Sequence, residues 1–163
     1  MRLKFLSDQP TTNGTGAAPR VGREQPKGTR IVGHPQRKVL VIEDSHVIQR
    51  LIEVCLRPAG FEVEMRSDGP TGLDAAREVA PDVIVLDVGL PGMDGWEVLS
   101  HLRADVRTED TKVLVLTAHA QDQTRARAEV SGASAFLTKP FRPDELRRVV
   151  NQLAGPALEV VAN

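Results

Sequence analysis

The sequence predicts an α/β protein built on a doubly wound, five-stranded parallel sheet. Three observations carry that expectation. From Lys38 onward, short apolar runs alternate with amphipathic helical stretches, five times in about 116 residues. Three of the runs are almost wholly apolar, as parallel strands covered on both faces must be. Capping and turn residues stand at the joins between runs and helices.

The elements follow in order. The first strand, Val39–Ile42, runs into Glu43-Asp44. Ser45 is an N-cap for a helix carrying Val47, Ile48, Leu51, Ile52 and Cys55, which Pro58 and Gly60 end. Glu62–Met65 alternates polar and apolar residues, which suits an edge strand. Asp68 opens a second helix with Pro70 in its first turn and Leu73, Ala76 and Val79 facing inward. Val83–Leu86 is wholly apolar and ends in Asp87. Asp94-Gly95 reads as the turn and cap of a third helix, which carries Trp96, Val98, Leu99 and Leu102. The fourth strand, Val113–Leu116, leads to Thr117-Ala118, and a helix over about 121–131 follows. Ala135–Leu137 is the fifth strand; it leads into Lys139-Pro140 and a last helix that begins at Pro143 and carries Leu146, Val149, Val150 and Leu153.

Outside this alternation the chain reads differently. Residues 7–37 are rich in Gly, Pro, Thr, Ser and charge with hardly any apolar periodicity, and together with the frayed terminus "MRLKFL" they read as a disordered basic leader over residues 1–37. Residues 1–38 hold eight Lys/Arg against two Asp/Glu, whereas the remainder holds thirteen against twenty. The leader lacks the basic block and aromatics that single-stranded nucleic acid demands, so it reads as a solvated tail on an acidic domain. Residues 155–163 form a short C-terminal tail. No apolar run approaches the roughly 20 residues of a membrane span, and no secretory signal opens the chain. Cys55 is the only cysteine, which excludes an internal disulfide and a cysteine-based metal site. It sits on an apolar helix face as an inert core residue. Together these features point to the cytoplasm.

In a doubly wound sheet, ligands sit at the carboxyl ends of the strands, where the strand order reverses. Those ends hold Glu43-Asp44, Asp87, Thr117 and Lys139. Three carboxylates on one edge repel unless a cation neutralises them. The hard oxygen set suits Mg²⁺. Lys139 and Thr117 add a positive charge and a hydroxyl donor, so the site is equipped to hold a phosphoryl group. Asp87, alone at the end of the central strand, is the candidate nucleophile for an acyl phosphate. Gly89 lies in the following loop, where its carbonyl can complete a metal sphere.

The set Glu43-Asp44, Asp87 followed by "LPGMDG", Thr117-Ala118 and Lys139-Pro140 resembles the receiver domain of bacterial two-component response regulators, of the stand-alone, chemotaxis-regulator-like type. The resemblance covers residues 38–154 and implies the flavodoxin-like strand order 2-1-3-4-5. It also implies roles. Asp87 accepts a phosphoryl group from a phosphohistidine on a sensor histidine kinase or histidine phosphotransfer protein. Asp44, Asp87 and the Gly89 carbonyl bind Mg²⁺ directly, and Glu43 acts mainly through water. Thr117 and Lys139 hold phosphoryl oxygens, Phe136 is the switch aromatic, and the bond before Pro140 is cis. Gly89 and His119, two residues past Thr117, occupy positions that tune the lifetime of the phosphorylated form. No DNA-binding or other output domain is expected, so signalling falls to changed binding of a protein target or to onward phosphotransfer.

Other functions are weaker on the residues. An aspartate-dependent phosphohydrolase typically places a second Asp two residues after the nucleophile, and that position is Gly89. A nucleotide-binding module needs a glycine-rich cradle after the first strand, where this chain has Glu43-Asp44. A phosphorylation-independent receiver-like adaptor remains the alternative. His34, His46 and His101 show no metal-ligand spacing, and Arg142, Arg147 and Arg148 read as a solvated face or a partner surface.

Overall fold

Five parallel strands form one sheet: β1 (Arg37–Ile42), β2 (Phe61–Arg66), β3 (Val83–Asp87), β4 (Lys112–Thr117) and β5 (Ala135–Thr138), in the order β2-β1-β3-β4-β5. The structure is a computed structural model and describes residues 36–118, 126–127 and 130–156. The expected leader (apart from Gln36 and Arg37), His34, His119 and residues 157–163 therefore lie outside the described residues. Of the helix expected over 121–131, Ala126, Arg127 and Val130 are described and helical.

Strand alternation sorts the core into two layers. Val39, Val41, Val83, Val85, Leu114 and Leu116 face α1 (His46–Leu56) and α4 (Pro143–Ala154), the last helix among the described residues. Leu40, Ile42, Ile84, Leu86, Val113 and Val115 face α2 (Gly69–Val79) and α3 (Gly95–Ala104). Both faces of β1, β3 and β4 are thus covered, which is why those strands are apolar throughout. The strand order reverses between β1 and β3, and their carboxyl ends open on a shared crevice.

The helices start where the sequence marks them. Ser45, Asp68 and Asp94 are N-caps, accepting bonds from the backbone N–H of Ile48, Thr71 and Glu97. Pro58 lies in a 3-10 turn after α1 that ends at Gly60, whose φ of 87° suits glycine. Among the described residues no helix is long and apolar enough to cross a membrane. The Cys55 thiol is half-buried and burial pushes its pKa up, against a smaller opposing effect of Arg147, so it stays protonated at neutral pH.

The structure adds to one expectation and corrects another. The inward face of α1 is Gln49, Ile52 and Leu56, whereas Val47 and Leu51 are 80% and 38% exposed. Of the apolar residues that this helix carries, Ile48, Ile52 and Cys55 pack on the core side, and the buried polar Gln49 lies among them. The strands also run past their last apolar residue: Asp87 still pairs with Leu116, and Thr117 with Thr138.

The Asp68 cap makes a pH prediction. The bond from the Thr71 N–H holds its carboxyl below the usual aspartate range. A depressed folded pKa means stability that is present above the unfolded value and lost as pH falls through the folded one. Asp68→Asn keeps a capping oxygen without the charge. Acid unfolding curves should therefore fall less steeply below about pH 4 in Asp68→Asn than in wild type; superimposable curves would refute the assignment.

Candidate functional site

Glu43 is the first residue past β1. Its N–H donates to Arg66 O (3.0 Å), which extends the β1–β2 ladder by one bond. Its carboxylate is buried and held at both oxygens: the Ser45 N–H donates to Oε1 (3.0 Å) and Lys139 Nζ to Oε2 (2.6 Å). Asp44 beside it is exposed. On the neighbouring strand, Asp87 is buried, and its Oδ1 lies 3.1 Å from Lys139 Nζ. Ligand oxygens of Glu43, Asp44 and Asp87 lie within 4.8 Å of one another.

Lys139 reaches this crevice from the far strand. Its N–H donates to Thr117 O (2.7 Å), which carries the chain past the end of β4, and the Lys139–Pro140 bond is cis. Thr117 is buried at the tip of β4. Phe136 pairs with Val115 on β4, so strand alternation puts Phe136 and Thr117 on the same face of the sheet. Phe136 is half-buried there against the α2–α3 layer. Gly89 passes close beside the acid: a Cβ at that position would sit 3.4 Å from Asp87 Oδ2.

The electrostatics follow from burial and pairing. Burial pushes the Glu43 carboxyl above its ordinary range, and bonds from Lys139 and Ser45 offset only part of that rise. For Lys139, burial alone favours the neutral amine. The bond to Glu43 and the fields of Asp87 and Glu43 outweigh it, so its pKa is raised and the ammonium persists. Ionised, three carboxylates and one ammonium leave two negative charges uncompensated. A hard, all-oxygen donor set with that charge, open to water through Asp44, fits a divalent cation that keeps part of its hydration shell, as Mg²⁺ does.

The structure thus brings Glu43, Asp44, Asp87 and Lys139 into contact range, with Thr117 and Gly89 at the rim and Phe136 one strand away. Sequence reasoning missed Gln49. This buried side chain donates to the Glu43 main-chain carbonyl (2.6 Å) and to Ser67 Oγ (3.1 Å). The available signal was a glutamine three residues before Ile52 and seven before Leu56, at the centre of the inward helical face. Trp96 packs at the start of α3, with the Arg127 guanidinium 4.9 Å above its ring.

The strand order and the acid–lysine cluster at the sheet crossover define a flavodoxin-like domain with an acidic, lysine-bearing crevice. Residues 39–151 match the model of the response regulator receiver domain. The chain belongs to the response regulator receiver domain family, the phosphoryl-accepting switches of two-component systems, whose partners are histidine kinases or phosphotransfer proteins. It is 40% identical over 116 residues to the DNA-binding dual master transcriptional regulator RpaA of Synechocystis, covering 71% of this chain and 48% of RpaA. The chain spans about half the length of the curated relatives it matches. Among solved structures it resembles the chemotaxis response regulator CheY4 of Vibrio cholerae, with TM-score 0.69 and 32% identity over 72% of this chain and 98% of that one. It also resembles the receiver domain of sensor histidine kinase PA1611 from Pseudomonas aeruginosa, with TM-score 0.68 and 31% identity over 74% and 98% of the two chains. That domain was crystallised with a magnesium ion coordinated in its active site cleft.

Proposed function

We propose that this protein accepts a phosphoryl group on Asp87 from a phosphohistidine donor and signals by a change in protein binding or by passing the group on. The observation that carries this reading is Lys139 Nζ, placed 2.6 Å from Glu43 and 3.1 Å from Asp87. An ammonium at that distance from the acceptor oxygen can pair with a phosphoryl oxygen formed there. A carboxylate oxygen of Asp87 attacks phosphorus and the P–N bond of the donor breaks. The electron pair leaves with the histidine nitrogen, which takes up a proton.

Asp44, Asp87 and the Gly89 carbonyl would hold Mg²⁺, with Glu43 acting through water. A bound Mg²⁺ supplies charge neutralisation for the phosphoryl oxygens. The Thr117 hydroxyl donates to a further phosphoryl oxygen. Because Thr117 and Phe136 share a sheet face, movement of Thr117 frees space beside Phe136 and shifts the population between two surface arrangements. His119 tunes the lifetime of the phosphorylated form. The setting is the cytoplasm, where such kinases present their phosphohistidine. The receiver occupies residues 38–154.

The test is incubation with acetyl phosphate or a phosphorylated histidine kinase, with and without Mg²⁺. Mg²⁺-dependent label on the protein is the expected result. No incorporation under any condition favours the phosphorylation-independent adaptor, and rapid turnover of external phosphoesters favours a hydrolase. Metal binding has its own readout. At ten times its dissociation constant, Mg²⁺ should stabilise the fold by about 1.4 kcal/mol. Asp44→Asn should lose most of that gain in thermal unfolding; an undiminished gain would place the ion elsewhere.

A further inference from the structure

The buried amide of Gln49 contacts the site without belonging to its acids, its lysine or its hydroxyl. A main-chain carbonyl only accepts, so the 2.6 Å contact with Glu43 O fixes the Gln49 amide with its nitrogen toward β1. The second N–H then points to Ser67 Oγ at 3.1 Å, in the loop between β2 and α2. The amide oxygen faces His46 Nδ1 at 3.2 Å, which makes Nδ1 the protonated ring nitrogen. Every polar atom of this buried side chain is therefore matched.

The carbonyl it holds belongs to the peptide that joins Glu43 to Asp44. The preceding N–H is held by Arg66 O at 3.0 Å. Rotation of the Glu43–Asp44 peptide would turn the two acids relative to each other, and Gln49 is the side chain that blocks it. Removing the donors leaves a buried carbonyl unpaired, and the peptide recovers its hydrogen bond only by turning toward water. We propose that Gln49 is a positioning residue for Mg²⁺ at this site: it locks the peptide between Glu43 and Asp44 so that their carboxylates converge with Asp87. The inference rests on the metal-binding reading of the acid cluster.

The experiment is calorimetric titration of Mg²⁺ into folded, unphosphorylated wild-type protein, Gln49→Met and Ser67→Ala, alongside thermal unfolding of each in chelator. Gln49→Met keeps length and volume but has no donor. Its Mg²⁺ dissociation constant should rise about tenfold, the lower end of what outer-shell partners contribute to metal affinity. Ser67→Ala, on the exposed end of the network, should raise it about threefold and fold normally. If Gln49→Met does not fold, Gln49→Leu, which also lacks the donors and adds no charge, carries the same expectation. A variant that melts earlier yet binds Mg²⁺ with wild-type affinity assigns Gln49 a purely structural role and overturns the proposal. Wild-type protein that binds no Mg²⁺ overturns the reading of the site itself, and the positioning role with it.

Discussion

Asp87→Asn abolishes phosphoryl uptake: with acetyl phosphate and Mg²⁺, incorporation should drop by at least about 100-fold, a loss typical of removing a nucleophile. The amide keeps the shape of the carboxylate and a contact with Lys139, but its oxygen is a poor nucleophile. The fold should survive. Lys139 retains its bond to Glu43 (2.6 Å), and losing the Asp87 charge relieves one of the effects that push the Glu43 carboxyl up. The variant should therefore melt within a few degrees of wild type while taking up no label. Circular dichroism and label incorporation on the same preparation check both halves. An unfolded variant would leave the acid's role to its companions, so Asp87→Glu, displaced by one methylene, serves as a second probe and should also lose most uptake.

Gly95→Ala should cost roughly 2–4 kcal/mol. A Cβ on Gly95 would lie 2.1 Å from Asp87 O and 2.5 Å from Val88 Cα, both backbone atoms that cannot swing aside. The Gly95 N–H also donates to Val88 O (3.2 Å), so the start of α3 is seated directly on the chain leaving the site. Helix propensity pulls the other way, since alanine is favoured over glycine in a helix interior by about 1 kcal/mol. The backbone clash exceeds that gain, so the sign is destabilising. Urea unfolding measures it. A stabilised Gly95→Ala protein would show that α3 does not approach Asp87 this closely. Because α3 rests on Asp87–Val88, the same variant should also slow phosphoryl uptake.

Much of this architecture is legible before any coordinates. β1, β3 and β4 are apolar at every central position because both their faces are covered, and that pattern appears directly in the residues. The gathering of Glu43, Asp44, Asp87 and Lys139 at one edge is legible as well, because parallel strands joined by helices place all their carboxyl ends together. The pairing of Lys139 with Glu43 spans 96 residues and emerges only from the strand order and the turn after β5.

The inward face of α1 was not legible in the same way. Val47, Leu51 and Val54 form an apolar stripe that faces solvent, while Gln49 is buried because three hydrogen-bond partners wait for it. Periodicity counts hydrophobicity and is blind to a polar group whose bonds are satisfied. Strand ends were misplaced for a related reason. Asp87 and Thr117 are polar but still within the ladder, so a reading that stops at the last apolar residue stops one position short of the chemistry.

The central claim is that Asp87, and no other acid of the cluster, carries the phosphoryl group. Asp44 lies in the same cluster and is more exposed, so identity must be read at the residue. The most direct measurement is to phosphorylate the wild-type protein in Mg²⁺, reduce the acyl phosphate with borohydride, and sequence the digest by mass spectrometry. Reduction converts a phosphorylated aspartate to homoserine. Homoserine at position 87 alone is the predicted result; homoserine at position 44, or at neither position in protein that has taken up label, would contradict it.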